Sequence, residues 1–178
     1  MSAAPTPRAA ASAALILILA GLAAPVVAPV AAADGARGPV TNLPLPRFVS
    51  MRADSANARR GPSLDQRVDW EFVHQGLPLE ITAEYGQWRR VRDADGAGGW
   101  VHHALLSGVR TALVRGEAAV PVRAGPTEAA AVRAMAEPGV VGRLEACRND
   151  WCEIAAGGLE GWLPRAVLWG VGPDETLE

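Results

Sequence analysis

The sequence predicts an all-β chain: two small, related five-stranded barrels set one after the other. Three observations lead there. The stretch Trp88 to Leu106, WRRVRDADGAGGWVHHALL, returns in altered form at Trp151 to Leu168, WCEIAAGGLEGWLPRAVL. A second phrase precedes each copy, Arg59-Arg60-Gly61-Pro62-Ser63 and then Arg123-Ala124-Gly125-Pro126-Thr127. The intervals agree closely, with 64 residues from Gly61 to Gly125, 63 from Trp88 to Trp151 and 62 from Trp100 to Trp162. A repeat at this period marks duplicated structural units. Short runs of period two, broken by turn residues every eight to twelve positions, mark those units as small barrels.

The first residues stand apart. Ala13 to Ala24 is an apolar run built on Leu15-Ile16-Leu17-Ile18-Leu19, and Ala31-Ala32-Ala33 supplies small residues just before Asp34. This is the pattern of an export signal cleaved near Ala33, so residues 1–33 are expected to be a signal peptide and the protein periplasmic. The competing reading is an uncleaved anchor, since no charge lies between Arg8 and Asp34. Pro25 and Pro29 interrupt that run, and its strongly apolar core is short for a bilayer about 30 Å thick. No stable membrane insertion is expected after cleavage.

Residues 34–46, rich in Gly and Pro, read as an extended, exposed linker. The first barrel is expected over 47–108. Phe48-Val49-Ser50-Met51 and Ala56 to Arg60 are its first candidate strands, ended by the turn at Gly61-Pro62. Val68, Trp70 and Phe72 alternate with polar neighbours across Gln66 to His74. In Leu77 to Tyr85, Leu79, Ile81, Ala83 and Tyr85 share one parity and Glu80, Thr82 and Glu84 the other. Gly86-Gln87 leads to Trp88-Arg89-Arg90-Val91-Arg92. The turn Asp93-Ala94-Asp95-Gly96 then delivers Gly99 to His102, because Asp-Gly tolerates positive φ. His103 to Leu106 reads as one tight helical turn.

The second barrel is expected over 109–172, starting from Arg110 to Arg115. Its further strands are Val120 to Arg123, Val132 to Ala136, Val140 to Cys147, Trp151 to Ala156 and Gly161 to Pro164. Alanine favours a helix over Glu128 to Met135, but the match to Gln66 through His74 favours a strand. From Gly170 the chain should be exposed, with residues 173–178 a flexible tail.

Composition excludes some functions. The formal charge is −2, and −3 without Arg8, so bulk charge does not support nucleic-acid binding. Every basic residue is arginine, the side chain suited to bidentate contacts with carboxylate or phosphate. Cys147 and Cys152 flank a plausible Asn149-Asp150 turn, so an exported chain should join them in a structural disulfide across one hairpin. His102 and His103 on a strand would face opposite ways and share no metal, and no acidic or cysteine cluster completes a site. No nucleophile and base are recognisable together. We therefore expect no enzyme, no cofactor and no metal.

The phrases Asn57 to Pro62, Trp88 to Val91, and Gly99-Trp100-Val101 with Leu105-Leu106 together resemble the bacterial Src-homology-3-like (SH3-like) domains. In the second unit Val122 to Pro126, Trp151 to Ile154, and Gly161-Trp162-Leu163 with Val167-Leu168 carry the same resemblance. Residues 76–108 look especially like the form found in exported proteins of proteobacteria. The resemblance implies small five-stranded barrels often described as cell-wall-targeting modules. It places Trp88 and Trp151 where eukaryotic relatives hold their groove tryptophan, and Pro164 at the groove proline, a place His102 takes in the first unit. Leu105 and Val167 replace the groove tyrosine, so the aromatic-lined polyproline site is incomplete.

Parity turns Trp88 and Trp151 outward, whereas Trp100 and Trp162 are expected to be structural. Tyr85 beside Trp88, Trp70 from a neighbouring strand and Arg90 on the same side would form an aromatic and guanidinium surface. The expected function is non-catalytic binding of peptidoglycan or a cell-wall peptide. The alternative is an adaptor for another periplasmic protein, with no affinity for the wall.

Overall fold

The computed structural model describes Met1 and residues 36–177; the expected export signal lies outside the described residues. The compact part contains two antiparallel sheets of seven strands each. The first comprises β1 (Arg47–Met51), β2 (Ala56–Arg59), β3 (Val68–Phe72), β4 (Pro78–Tyr85), β5 (Trp88–Arg92), β6 (Gly98–His102) and β7 (Leu106–Ser107). The second comprises β8 (Thr111–Val114), β9 (Val120–Arg123), β10 (Val132–Ala136), β11 (Val141–Arg148), β12 (Trp151–Ala156), β13 (Leu159–Pro164) and β14 (Leu168–Trp169). Strand orders are β3-β2-β6-β5-β4-β1-β7 and β10-β9-β13-β12-β11-β8-β14, so the sequence repeat is a repeat of topology. A single turn of 3-10 helix follows β6 (His103–Leu105) and β13 (Arg165–Val167).

The expected count of five strands per unit is thus two short. β1 takes the outer edge of β4, and Leu106–Ser107 turns back to pair with β1, which adds two strands to the five. Residues 132–136 are a strand, and the helix alternative does not form.

Each unit has its own core. Met51, Leu79, Ile81, Val91 and Val101 anchor the first, and Val114, Leu144, Ile154 and Leu163 the second. The parity expected for β4 holds only as far as Ile81. A bulge between Ile81 and Ala83 then inverts it, turning Glu84 inward and leaving Tyr85 65% exposed. One extra residue flips every side chain beyond it to the other face. The same bulge recurs between Leu144 and Ala146 and turns Cys147 inward.

Inverting those two positions creates one rung with two chemistries. Glu84 faces Arg89 across β4 and β5, and Cys147 faces Cys152 across β11 and β12. The cysteines form the expected disulfide, with Cα atoms 4.1 Å apart. Reduction is expected to cost about 2 kcal/mol on loop entropy. It should lower the melting temperature and speed amide exchange most in β11 and β12, which thermal unfolding and hydrogen exchange with and without reductant would read.

The segments flanking the two sheets, residues 36–46 and 171–177, dock on these rungs. The segment expected to be an exposed linker instead folds into a loop, with Arg37 bridged to Pro44. The Glu84 side chain is 0% exposed. Its carboxylate accepts hydrogen bonds from the Thr41 hydroxyl (2.7 Å) and from the Thr41 and Val40 amides (2.9 and 3.1 Å). Arg47 donates to it at 2.6 Å. Gly38 lies so close that a Cβ there would fall 2.3 Å from the carboxylate, so any larger residue would displace the carboxylate from its partners.

The C-terminal segment, expected to be a flexible tail, is held as well. Leu177 exchanges backbone hydrogen bonds with Cys147. Arg165 donates to the carbonyls of Asn149, Gly172, Pro173 and Glu175, and Glu175 pairs with Arg110. Neither segment carries a pattern of period two that would announce this; its partners lie elsewhere in the chain.

The units meet with almost no linker. Phe48 of β1 packs edge-on against Trp169 of β14, with ring centroids 5.2 Å apart. The Arg92 guanidinium sits over Trp169 and that of Arg110 over Phe48, at 6.0 and 5.8 Å. The Thr111 hydroxyl donates to the Gly76 carbonyl at 2.7 Å.

Candidate functional site

Outward parity on β5 and β6 assembles the most open face of the first unit. Trp88 stands opposite His102, and Arg90 opposite Trp100. The Trp88 and His102 rings meet edge to face at 5.6 Å. His102 Nδ1 accepts the Ala104 amide and so caps the helical turn that brings Leu105 alongside. Trp88, His102 and Leu105, with Asn57, Arg59 and Leu64 opposite, line a groove of about 250 Å³.

Arg59 also lines a second hollow of about 390 Å³, with Trp100, Arg90, Arg60 and Asp69. Its floor is Gly98-Gly99. A Cβ on Gly98 would lie 2.0 Å from the Val91 carbonyl oxygen, and one on Gly99 2.6 Å from that of Arg59. Close strand approach therefore requires both glycines and leaves the floor bare backbone. Arg90 continues into a third hollow of about 370 Å³ beside Thr82 and Arg92. The three form one line across the sheet.

The electrostatics of this line are uneven. Arg59 donates to the Leu64 and Gln66 carbonyls. Arg60 and Arg67 both bond to Asp69 and hold its carboxyl below the usual range. Glu80 pairs with Arg92 and raises its pKa. Arg90 is exposed and, among the described residues, has no side-chain hydrogen bond or ion pair. Partial desolvation, with His102, Arg89 and Arg52 nearby, lowers the His103 pKa.

Placement of the sequence-derived residues is mixed. Trp88 and Arg90 share a face. Tyr85 stands opposite Trp88 at the hairpin end, exposed, and lines none of the hollows. Trp70, 47% exposed, stands opposite Ala58, whose side chain belongs to the core. It is therefore on the other side of the sheet from Trp88. Trp100, expected to be structural, is half-buried and also borders the hollow at Arg90. Its register opposite Arg90 follows from the hairpin, and that is the signal that could have found it. His102 and His103 do not face apart: the helical turn starts between them and leaves their rings 5.0 Å apart. Among the described residues no group of three or more His, Cys, Asp or Glu could hold a metal ion.

The second unit presents a different face. Trp151 stands opposite Pro164, and Glu153 opposite Trp162, where the first unit has Arg90 and Trp100. Trp162 is buried, with the Arg148 guanidinium 5.9 Å from its ring. Beside Pro164 a hollow is lined by Asp150, Arg165 and the terminal Val171 and Pro173.

The bacterial SH3 domain model matches the chain twice, over residues 52–108 and 116–170. The chain belongs to the bacterial SH3 domain family. The two units are a tandem pair of these domains, which are non-catalytic. No curated protein matches the chain. Two solved structures from Trichomonas vaginalis are similar to it, NlpC2 at 11% identity and NlpC1 at 10%, both with a TM-score of 0.33. The matches cover 70% and 69% of this chain and 48% and 45% of theirs, so it spans about half the length of those structures. Within the first SH3 domain the groove of Trp88, His102 and Leu105 lacks the hydroxyl-bearing ring that a polyproline ligand needs.

Proposed function

We propose that the chain is a non-catalytic binding module of the periplasm, which recognises an acidic cell-wall peptide through the Trp88–Arg90 face of its first SH3 domain. One observation carries this reading. Arg90 is an exposed guanidinium with no side-chain partner among the described residues, while Arg59, Arg60 and Arg92 around it are engaged. A free guanidinium beside a groove with an aromatic wall suits bidentate pairing to a carboxylate with stacking alongside. The bare Gly98-Gly99 floor lets a peptide backbone approach. Export is supported by the apolar run Ala13 to Ala24 and the small residues at Ala31 to Ala33, and the proteobacterial type by the resemblance of residues 76–108.

The test is co-sedimentation with purified wall sacculi. Wild-type protein is expected to sediment, and Trp88→Ala to bind more weakly by more than ~1 kcal/mol with its fold intact by circular dichroism. Arg90→Ala should lose a similar amount, since a charge-assisted pair contributes about 1.5–3 kcal/mol. Trp151→Ala should cost much less, because Glu153 replaces the guanidinium there. Wild-type protein that stays in the supernatant would reject wall binding in favour of an adaptor for another envelope protein. Equal sedimentation of wild type and folded Trp88→Ala would show that a different face binds.

A further inference from the structure

At one inward position the second domain lacks an aromatic ring that the first has, and a hollow lies there. Phe72 stands opposite Ala56 in the first domain and is only 2% exposed, so its ring fills the barrel interior. The matching pair in the second domain is Ala136 opposite Val120. Val120 and Val122, in place of Ala56 and Ala58, restore part of the lost volume. What remains is an apolar cavity of about 140 Å³ walled by Val122, Ala136, Val140, Ile154 and Ala156. Met135 and Leu159, 56% and 40% exposed, mark where it opens to solvent.

The opening has changed along with the plug. Register places Met135 where the first domain has Glu71, Ala156 where it has Asp93, and Leu159 where it has Ala97. Two acidic positions have become apolar around the spot where the ring is missing. Loss of the plug alone would leave a defect that collapse or a polar rim could hide; here the rim is apolar too. An apolar hollow of this size admits a benzene-sized group. The first domain shows what group suits the position, because there a phenyl ring occupies it from within the chain.

We infer that the second SH3 domain carries a binding site for one phenyl-sized apolar group, supplied as a phenylalanine side chain by a partner polypeptide lying along β10. That strand is the terminal strand of its sheet, with no further strand paired to its outer edge among the described residues. An extended segment can therefore add to it by backbone hydrogen bonds. The inward side chain of that segment nearest Ala136 then reaches the cavity. This site is separate from the Trp88–Arg90 face and lies on the other domain.

Methyl NMR of the full chain tests the assignment, with benzene and a threonine-based pentapeptide carrying one central phenylalanine as probes. Benzene is expected to shift the methyl signals of Val122, Val140, Ile154 and Leu159 with a Kd on the order of 1 mM, and to leave those of Val91 and Val101 unmoved. The phenylalanine pentapeptide should shift the same methyls, and its alanine counterpart should not. Ala136→Phe should abolish both responses and raise the melting temperature by about 5 °C. Phe72→Ala, if it folds, should create a second responsive set in the first domain. Unmoved methyls with benzene, or an Ala136→Phe protein that melts lower and still responds, would overturn the site. A response to benzene but not to the phenylalanine peptide would overturn the polypeptide source.

Discussion

Truncating Trp169 to alanine is expected to turn one cooperative unfolding transition into two. The indole is an apolar group of the second domain that reaches the first. It packs edge-on against Phe48 and lies under Arg92. Removing a large aromatic ring from a packed site costs about 3–5 kcal/mol, and the half-buried setting of Trp169 puts it at the lower end. Each domain is small enough to be marginal alone, so the contact between them is a large share of what each has. Calorimetry is the measurement. The wild type should give one endotherm, and Trp169→Ala two, the lower displaced by roughly 5–10 °C. A single endotherm shifted by less than 2 °C would show that the domains do not lean on each other.

Replacing Glu84 by glutamine should cost of order 3 kcal/mol. Although burial pushes its carboxyl up, hydrogen bonds from Thr41, Arg47 and Val40 hold its pKa down, from an ordinary 4.5 to about 2. A difference of that size corresponds to ~3 kcal/mol of stability. Because the folded value is the lower one, the contribution is complete above pH 4.5 and is lost as the pH falls from there towards 2. Glutamine keeps the shape but leaves Arg47 and Arg89 facing a neutral group. Hydrogen exchange at the Val40 and Thr41 amides should accelerate in the variant at pH 7, and in the wild type only as the pH approaches 2–3. Unchanged protection of both amides in Glu84→Gln would mean that the loop is held by something other than the carboxylate.

The tandem all-β architecture was legible in the sequence because it is written as a repeat. The strand at 132–136 could be preferred over a helix only because residues 66–74 offered a parallel. What escaped has a common physical cause. A bulge adds one residue without a sequence marker, so the shared parity of Glu80, Thr82 and Glu84 gave no sign that Glu84 turns inward. With Glu84 misplaced, nothing called for the loop at residues 36–46 to dock, and the same applies to Cys147 and the terminal Leu177. On the candidate site, parity on β5 correctly put Trp88 and Arg90 on one side. It could not place Trp70, because that depends on which face of the β2–β3 hairpin turns inward, nor show that Trp100 borders the hollow at Arg90.

The equivalence of Glu84–Arg89 and Cys147–Cys152 means that the two halves of the molecule fail under different insults. Strong acid neutralises a carboxylate but leaves a disulfide untouched; a reductant opens the disulfide but does not alter the charge on Glu84. Salt weakens the ionic rung only slightly, because it is enclosed, and has no purchase on the covalent one. The loop at residues 36–46 is secured by the Glu84 carboxylate, whereas the segment from Gly172 to Leu177 is secured by backbone bonds to Cys147, by Arg165 and by the Glu175–Arg110 pair, so a reductant leaves the first hold intact.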